Sequence, residues 1–158
     1  MKTIVTILLG VCFIKASFSQ SIPEPNYAKE FFKISENKLI PLEKNTFVIK
    51  NKGFVSVEVL AVFNGVRSSA VFSANDTIKF IFKSDNLNLN PDEYIVLIPL
   101  KTDKKNRFYN LAEPPKIAAE FEKYGQSSYI LSSTSPLQPG EYALYYDKSN
   151  YFFLFSVQ

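Results

Sequence analysis

The chain has 158 residues, 46% of them apolar, with 18 Lys and Arg against 15 Asp and Glu, no His, no Trp and one Cys. So even a balance offers nucleic acid no basic face to bind. Without His the usual general base and the Ser-His-Asp and Cys-His systems are missing, and with one Cys so are nearly all zinc, iron and copper sites.

Residues 1–19, "MKTIVTILLGVCFIKASFS", carry Lys2 as a short basic start, an apolar run from Ile4 to Ile14, and small Ser17 and Ser19 before Gln20. That is the plan of a secretory signal peptide cut after Ser19. A spanning helix needs about 20 apolar residues and Lys15 interrupts this run, so no transmembrane segment is expected after cleavage. "LGVC" loosely resembles a lipidation signal at Cys12, but Val11 stands where that pattern has Gly, Ala or Ser. Removing 19 of the 158 residues leaves 139, a common size for one domain, here 20–158. Lys2 and Lys15 go with the leader, and so does the sole Cys. An exported chain without disulfides points to a bacterial periplasm, cell surface or exterior, with a core that holds the fold unaided.

Strands dominate the rest of the chain. Phe31 to Ile34 or Lys38 to Leu42 is the first expected, then Thr46 to Lys50. From Val55 the apolar residues recur with period two, placing Val55, Val57, Val59, Ala61 and Phe63 on one face. Further strands are expected at Arg67 to Ser73, along Ile78, Phe80 and Phe82, then at Tyr94 to Leu100, Arg107 to Ala112 and Ser127 to Ser132. Tyr142 to Tyr146 and Tyr151 to Val157 close the chain. In "PPKIAAEFEKYG", 114–125, helical and extended patterns both fit, and the extended one is preferred. Turn chemistry at "KNKG", "NG", "AND", "NLNP", "TDKKN", "QPG" and "DKSN" separates these runs. Short strands punctuated this often indicate an all-β, antiparallel two-sheet sandwich of about eight or nine strands.

Few clusters carry chemistry. "SDNLNLNPDE", 84–93, is oxygen-rich as calcium loops are, but lacks EF-hand spacing and reads better as a polar turn. "KTDKKNR", 101–107, gathers Lys101, Lys104, Lys105 and Arg107 at a hairpin tip, where charges are simply solvated. Asn75-Asp76-Thr77 is an N-glycosylation sequon, a pattern frequent by chance. No metal and no cofactor are expected, and no catalytic residue is assigned.

"NPDEYIVLIPLK", then "EKYGQSSYILSSTSPLQPGEYALYY" and an aromatic last strand, resemble small secreted bacterial β-sandwich domains of unknown function. There a "KYG-x-SSY" segment leads to a "L-x-PGEYAL" turn and a closing "FFxF" strand. "L-x-PGEY" also looks like the tyrosine corner of immunoglobulin-like Greek-key sandwiches, which would make Tyr142 a structural corner. The resemblance covers residues 90–157. Leu144 stands where the immunoglobulin cysteine would be, so the resemblance implies the architecture and no activity.

With "DKSN" as the last hairpin's loop, antiparallel counting pairs Tyr145 with Phe152, Ala143 with Leu154, and Tyr142 with Phe155. One face then carries Tyr142, Leu144, Tyr146, Tyr151, Phe153, Phe155 and Val157, and the other Ala143, Tyr145, Phe152 and Leu154. The second face is apolar too, so it is covered, by "PNYAKEFF" for instance, or it binds something. Tyr145, Phe152 and Leu154 are therefore the candidate interaction surface. The expected role is a non-catalytic binding or assembly module of the cell envelope, its partner another envelope or secreted protein. A carbohydrate-binding module stacking tyrosines on a sugar is the alternative, and a hydrolase built on two carboxylates the third reading.

Overall fold

The computed structural model describes residues 22–54, 57–86, 88 and 90–158. The expected leader, Cys12 and its cleavage site lie outside the described residues. In chain order the strands are β1 (Phe31–Ser35), β2 (Lys38–Pro41), β3 (Glu43–Asn45), β4 (Val48–Lys52), β5 (Glu58–Asn64), β6 (Val71–Phe72) and β7 (Lys79–Lys83). After a 3-10 turn at Pro91–Glu93 come β8 (Ile95–Thr102), β9 (Asn106–Asn110), β10 (Ala119–Tyr124), β11 (Ser128–Ser133), β12 (Gly140–Tyr146) and β13 (Phe152–Val157). The described residues thus form an all-β fold, with 13 strands where about eight or nine were expected. No described helix is long and apolar enough to cross a membrane.

Two sheets result. One runs β10-β11-β7-β1-β2, and the other β3-β13-β12-β8-β9-β5-β4, with β6 added to β13. Among the described strand pairings only that of β6 with β13 is parallel, with one further isolated parallel bridge between Ala28 and Lys83. The candidates Phe31–Ile34 and Lys38–Leu42 are both strands, the two arms of one hairpin through Glu36 and Asn37 at positive φ. Segment 114–125 contains a strand, β10, as preferred. Arg67–Ser73, by contrast, is mostly not a strand. Its Ser68 and Ser69 amides donate to the Glu141 and Glu43 carboxylates, leaving only Val71–Phe72 for ladder pairing.

The last hairpin keeps the counted register, from Tyr142 opposite Phe155 to Tyr145 opposite Phe152. Alternation along β12 and β13 then supplies two cores. Tyr142, Leu144, Phe153, Phe155 and Val157 face the first sheet, where Phe31, Phe80, Phe82 and Leu131 meet them. Phe155 and Phe80 lie 4.8 Å apart, ring centre to ring centre. At the start of β12, the Tyr142 hydroxyl donates to the Gln138 carbonyl at 2.6 Å.

The other face of the hairpin does not reach solvent. β8 and β9 pair only at Lys101–Phe108 and Thr102–Arg107. Beyond that joint, β9, β5 and β4 turn back as a flap over β8, β12 and β13. Ala61, Phe63 and Tyr109 from the flap, with Phe47, pack onto Val96, Ile98, Ala143, Tyr145, Phe152 and Leu154. The reading of Tyr145, Phe152 and Leu154 as an interaction surface is therefore corrected. They are 8%, 2% and 0% exposed, the middle layer of a three-layer stack. "PNYAKEFF" is not the cover either, for Phe31 sits in the first core while Tyr27 stands in solvent. The period-two face from Val55 is also divided. Ala61 and Phe63 are buried, whereas Val57 and Val59 are exposed, and Val55 lies outside the described residues.

Candidate interaction surface

The flap is pinned by a buried charge. Arg107 is the second residue of β9 and alternates with Tyr109 on the inward face, which takes its side chain to 1% exposure. It is not one of the solvated charges of the basic tip. Its Nη2 donates to Glu43 at 2.8 Å and to the Asn64 carbonyl at 2.9 Å, and Nε donates to the Gly65 carbonyl at 3.1 Å. Gly65 has φ +83°, a conformation cheap only for glycine, and it turns that carbonyl toward the guanidinium. Nη1 faces Glu141 at 3.6 Å. Glu141 in turn accepts from the Ser156 hydroxyl and the Ser68 amide.

Partial burial opposes the charge on Glu43, but donation from Arg107, the Ser69 amide, Ser68 and Asn45 outweighs it and holds the carboxyl at about 2. One cation thus ties β3, β12 and the loop after β5 to the flap. Glu43 and Glu141 are both engaged by Arg107, and the arrangement is a cross-link.

Outside this lock, the flap ends in a bare strand. β4 closes the order of its sheet and, among the described residues, pairs only with β5, and all five of its residues are exposed. Val48 and Ile49 are 60% exposed, and Phe54, in the turn beyond, is wholly in solvent with Val57 beside it. An unpaired strand edge offers N–H and C=O groups to any extended chain, and apolar side chains along it increase the gain from pairing. The register sets the faces. Val48, Lys50 and Lys52 point to the side that carries Val62, Leu60 and Phe108. The Lys52 ammonium lies 5.9 Å from the Phe108 ring centre, and a shallow groove of about 250 Å³ runs between Lys50, Lys52 and Asp103 over Leu60, Val62 and Phe108.

The other regions singled out in the sequence are occupied. In the oxygen-rich loop the Asn86 and Asn90 side chains accept the amides of Asn88 and Asp92, the turn-closing role expected of Asn. No described acid, His or Cys belongs to a metal-holding group. Asp103 caps the basic tip by accepting the Lys105 and Asn106 amides, each at 2.7 Å. Asn75 and Thr77 are exposed, while Asp76 reaches back 2.9 Å to the buried Lys33. At the far end of the sandwich Tyr146 and Tyr151 line a cleft of about 430 Å³ with Lys29, Lys44 and Lys148. A sugar would stack on Tyr151, but the Lys44 ammonium lies 4.7 Å over that ring and takes one of its faces.

The strand expected at Thr46–Lys50 is found as β4, but sequence reasoning missed the exposure of that strand and the burial of Arg107. For Arg107 the signal was present: Arg107, Tyr109 and Leu111 alternate, a pattern that puts the first on the inward face with the others. For β4 no local signal exists, because Val48 and Ile49 look like core residues until the strand order is known. Comparison with known proteins found no matching family model, no matching curated protein and no matching solved structure.

Proposed function

We propose that the protein is an exported, non-catalytic assembly module of the bacterial cell envelope, which binds another envelope or secreted protein by adding a strand to β4. The observation that carries this is β4 itself, a fully exposed terminal strand with Val48 and Ile49 bare beside it. Strand addition derives affinity from main-chain hydrogen bonds and specificity from alternate side chains, so it needs none of the catalytic groups the chain lacks. The Arg107 lock supports the same reading, since it holds the strand's platform rigid.

The underlying architecture is best read as immunoglobulin-like. The order β1-β7-β11-β10 corresponds to the A-B-E-D sheet of that fold and β13-β12-β8 to G-F-C, with Tyr142 at the corner position of the penultimate strand. Strands β2 to β5 are then an insertion after the first strand, and the binding edge belongs to the insertion.

A photo-crosslinking residue placed at Ile49 tests the proposal in the producing cell. Adducts of discrete mass are expected from Ile49 and none from the same probe at exposed Lys148. If Ile49 gives no more than Lys148, β4 is not a binding edge.

A further inference from the structure

We infer that the strand added to β4 is β10 of a second copy of this chain, running antiparallel so that Lys50 meets Glu122 and Lys52 meets Glu120. This rests on the reading of β4 as a pairing edge and names what occupies it. β10 ends the other sheet, pairs on one side with β11, and leaves its second edge without a strand among the described residues. Its side chains alternate as those of β4 do, with opposite charge on the face of Glu120 and Glu122 and Lys123 on the other face, opposite Ile49 in this register. Ala119 and Phe121 pack against the first core, and Glu120, Glu122 and Tyr124 point away. On β4 the matching positions are Lys52, Lys50 and Val48.

Antiparallel addition in this register therefore sets two Lys–Glu pairs and a Val48–Tyr124 pair side by side on one face, each a favourable cross-strand combination. The flanks are mixed in sign, since Glu58 stands opposite Lys52 and Asp103 lines the groove with Lys50. The exposed Asp92 and Glu93 of the 3-10 turn lie against β10, and Lys101, opposite Phe108, shares the face of Lys50 and Lys52.

Symmetric alternatives are disfavoured by the same charges. Two-fold pairing of β4 with itself about Lys50 brings Lys50 against Lys50, and two-fold pairing of β10 about Phe121 brings Glu120 against Glu122. Because each copy carries both edges on different sheets, the contact is head-to-tail, and such contacts propagate into chains or close into rings.

Charge reversal with the protein purified after export decides the matter. By sedimentation velocity the wild type is expected to self-associate with rising concentration, and less so at high salt. Lys50→Glu with Lys52→Glu, or Glu120→Lys with Glu122→Lys, should each weaken association about tenfold or more. An equimolar mixture of the two double variants should associate again, since each then offers the other a complementary edge. Recovery on mixing also excludes misfolding as the cause of the loss. A wild type that stays monomeric, an association indifferent to both reversals, or a mixture that stays apart overturns the inference. Should the Ile49 probe capture a different protein while the purified chain is monomeric, only this identification of the partner falls.

Discussion

Replacing Arg107 with methionine is expected to destabilise the fold by about 3–5 kcal/mol, the usual result of removing one partner from a buried ion cluster. The magnitude comes from the groups left behind. The Glu43 and Glu141 side chains are only 20% and 9% exposed, so both carboxylates keep their desolvation and lose their counter-charge. The Asn64 and Gly65 carbonyls, at 2.9 and 3.1 Å from the guanidinium, lose a donor as well. Against a domain stability of about 5–15 kcal/mol this is a large fraction, equivalent to a drop in Tm of about 10–20 °C. Urea denaturation measures the loss, and native-state hydrogen exchange localises it. Protection should fall first in β4, β5 and β9, while β12 and β13 retain theirs. Adding Glu43→Gln and Glu141→Gln should recover part of the stability, because the orphaned charges are then gone. A loss below about 1 kcal/mol for Arg107→Met, or no recovery in the triple variant, would refute the view of the cluster as a charge-balanced lock.

Acid should weaken the same lock. A carboxylate whose pKa is lowered on folding contributes stability above its unfolded value of 4.5, and that contribution fades as pH falls toward about 2. Wild type should lose about 2 kcal/mol over this window, after discounting for solvent screening, and Glu43→Gln should remove that part of the slope in pH-dependent denaturation. Tyr142→Phe deletes the bond to the Gln138 carbonyl and should lower the stability measured in urea by about 1 kcal/mol with an unchanged m-value. Tyr145→Ser together with Phe152→Ser should unfold the protein, since the two rings lie 4.3 Å apart inside the second core. A folded double variant would put those rings back at the surface.

The sequence showed best where structure is local. The β12–β13 register followed from a short polar loop and strict alternation, so pairs from Tyr142–Phe155 to Tyr145–Phe152 could be counted in advance. Where the second face of that hairpin goes could not be counted. Its cover comes from Phe63 and Tyr109, which reach it only because the sheet doubles back beyond the Lys101–Phe108 and Thr102–Arg107 joint. Such a fold-back depends on long-range strand order, and no local period encodes it. The bare edge of β4 was hidden for the mirror-image reason. Val48 and Ile49 have core-like side chains, and only their place at the end of the order leaves them in solvent.

β13 pairs with β12, β3 and β6 and supplies rings to both cores. Neither core can close until Phe152–Val157 are in place, so the strands before β13 keep their apolar faces uncovered until it joins them. Closing contacts this distant in sequence is slow, in the millisecond-to-second range typical of all-β domains. Deleting β13 should therefore abolish the native state altogether.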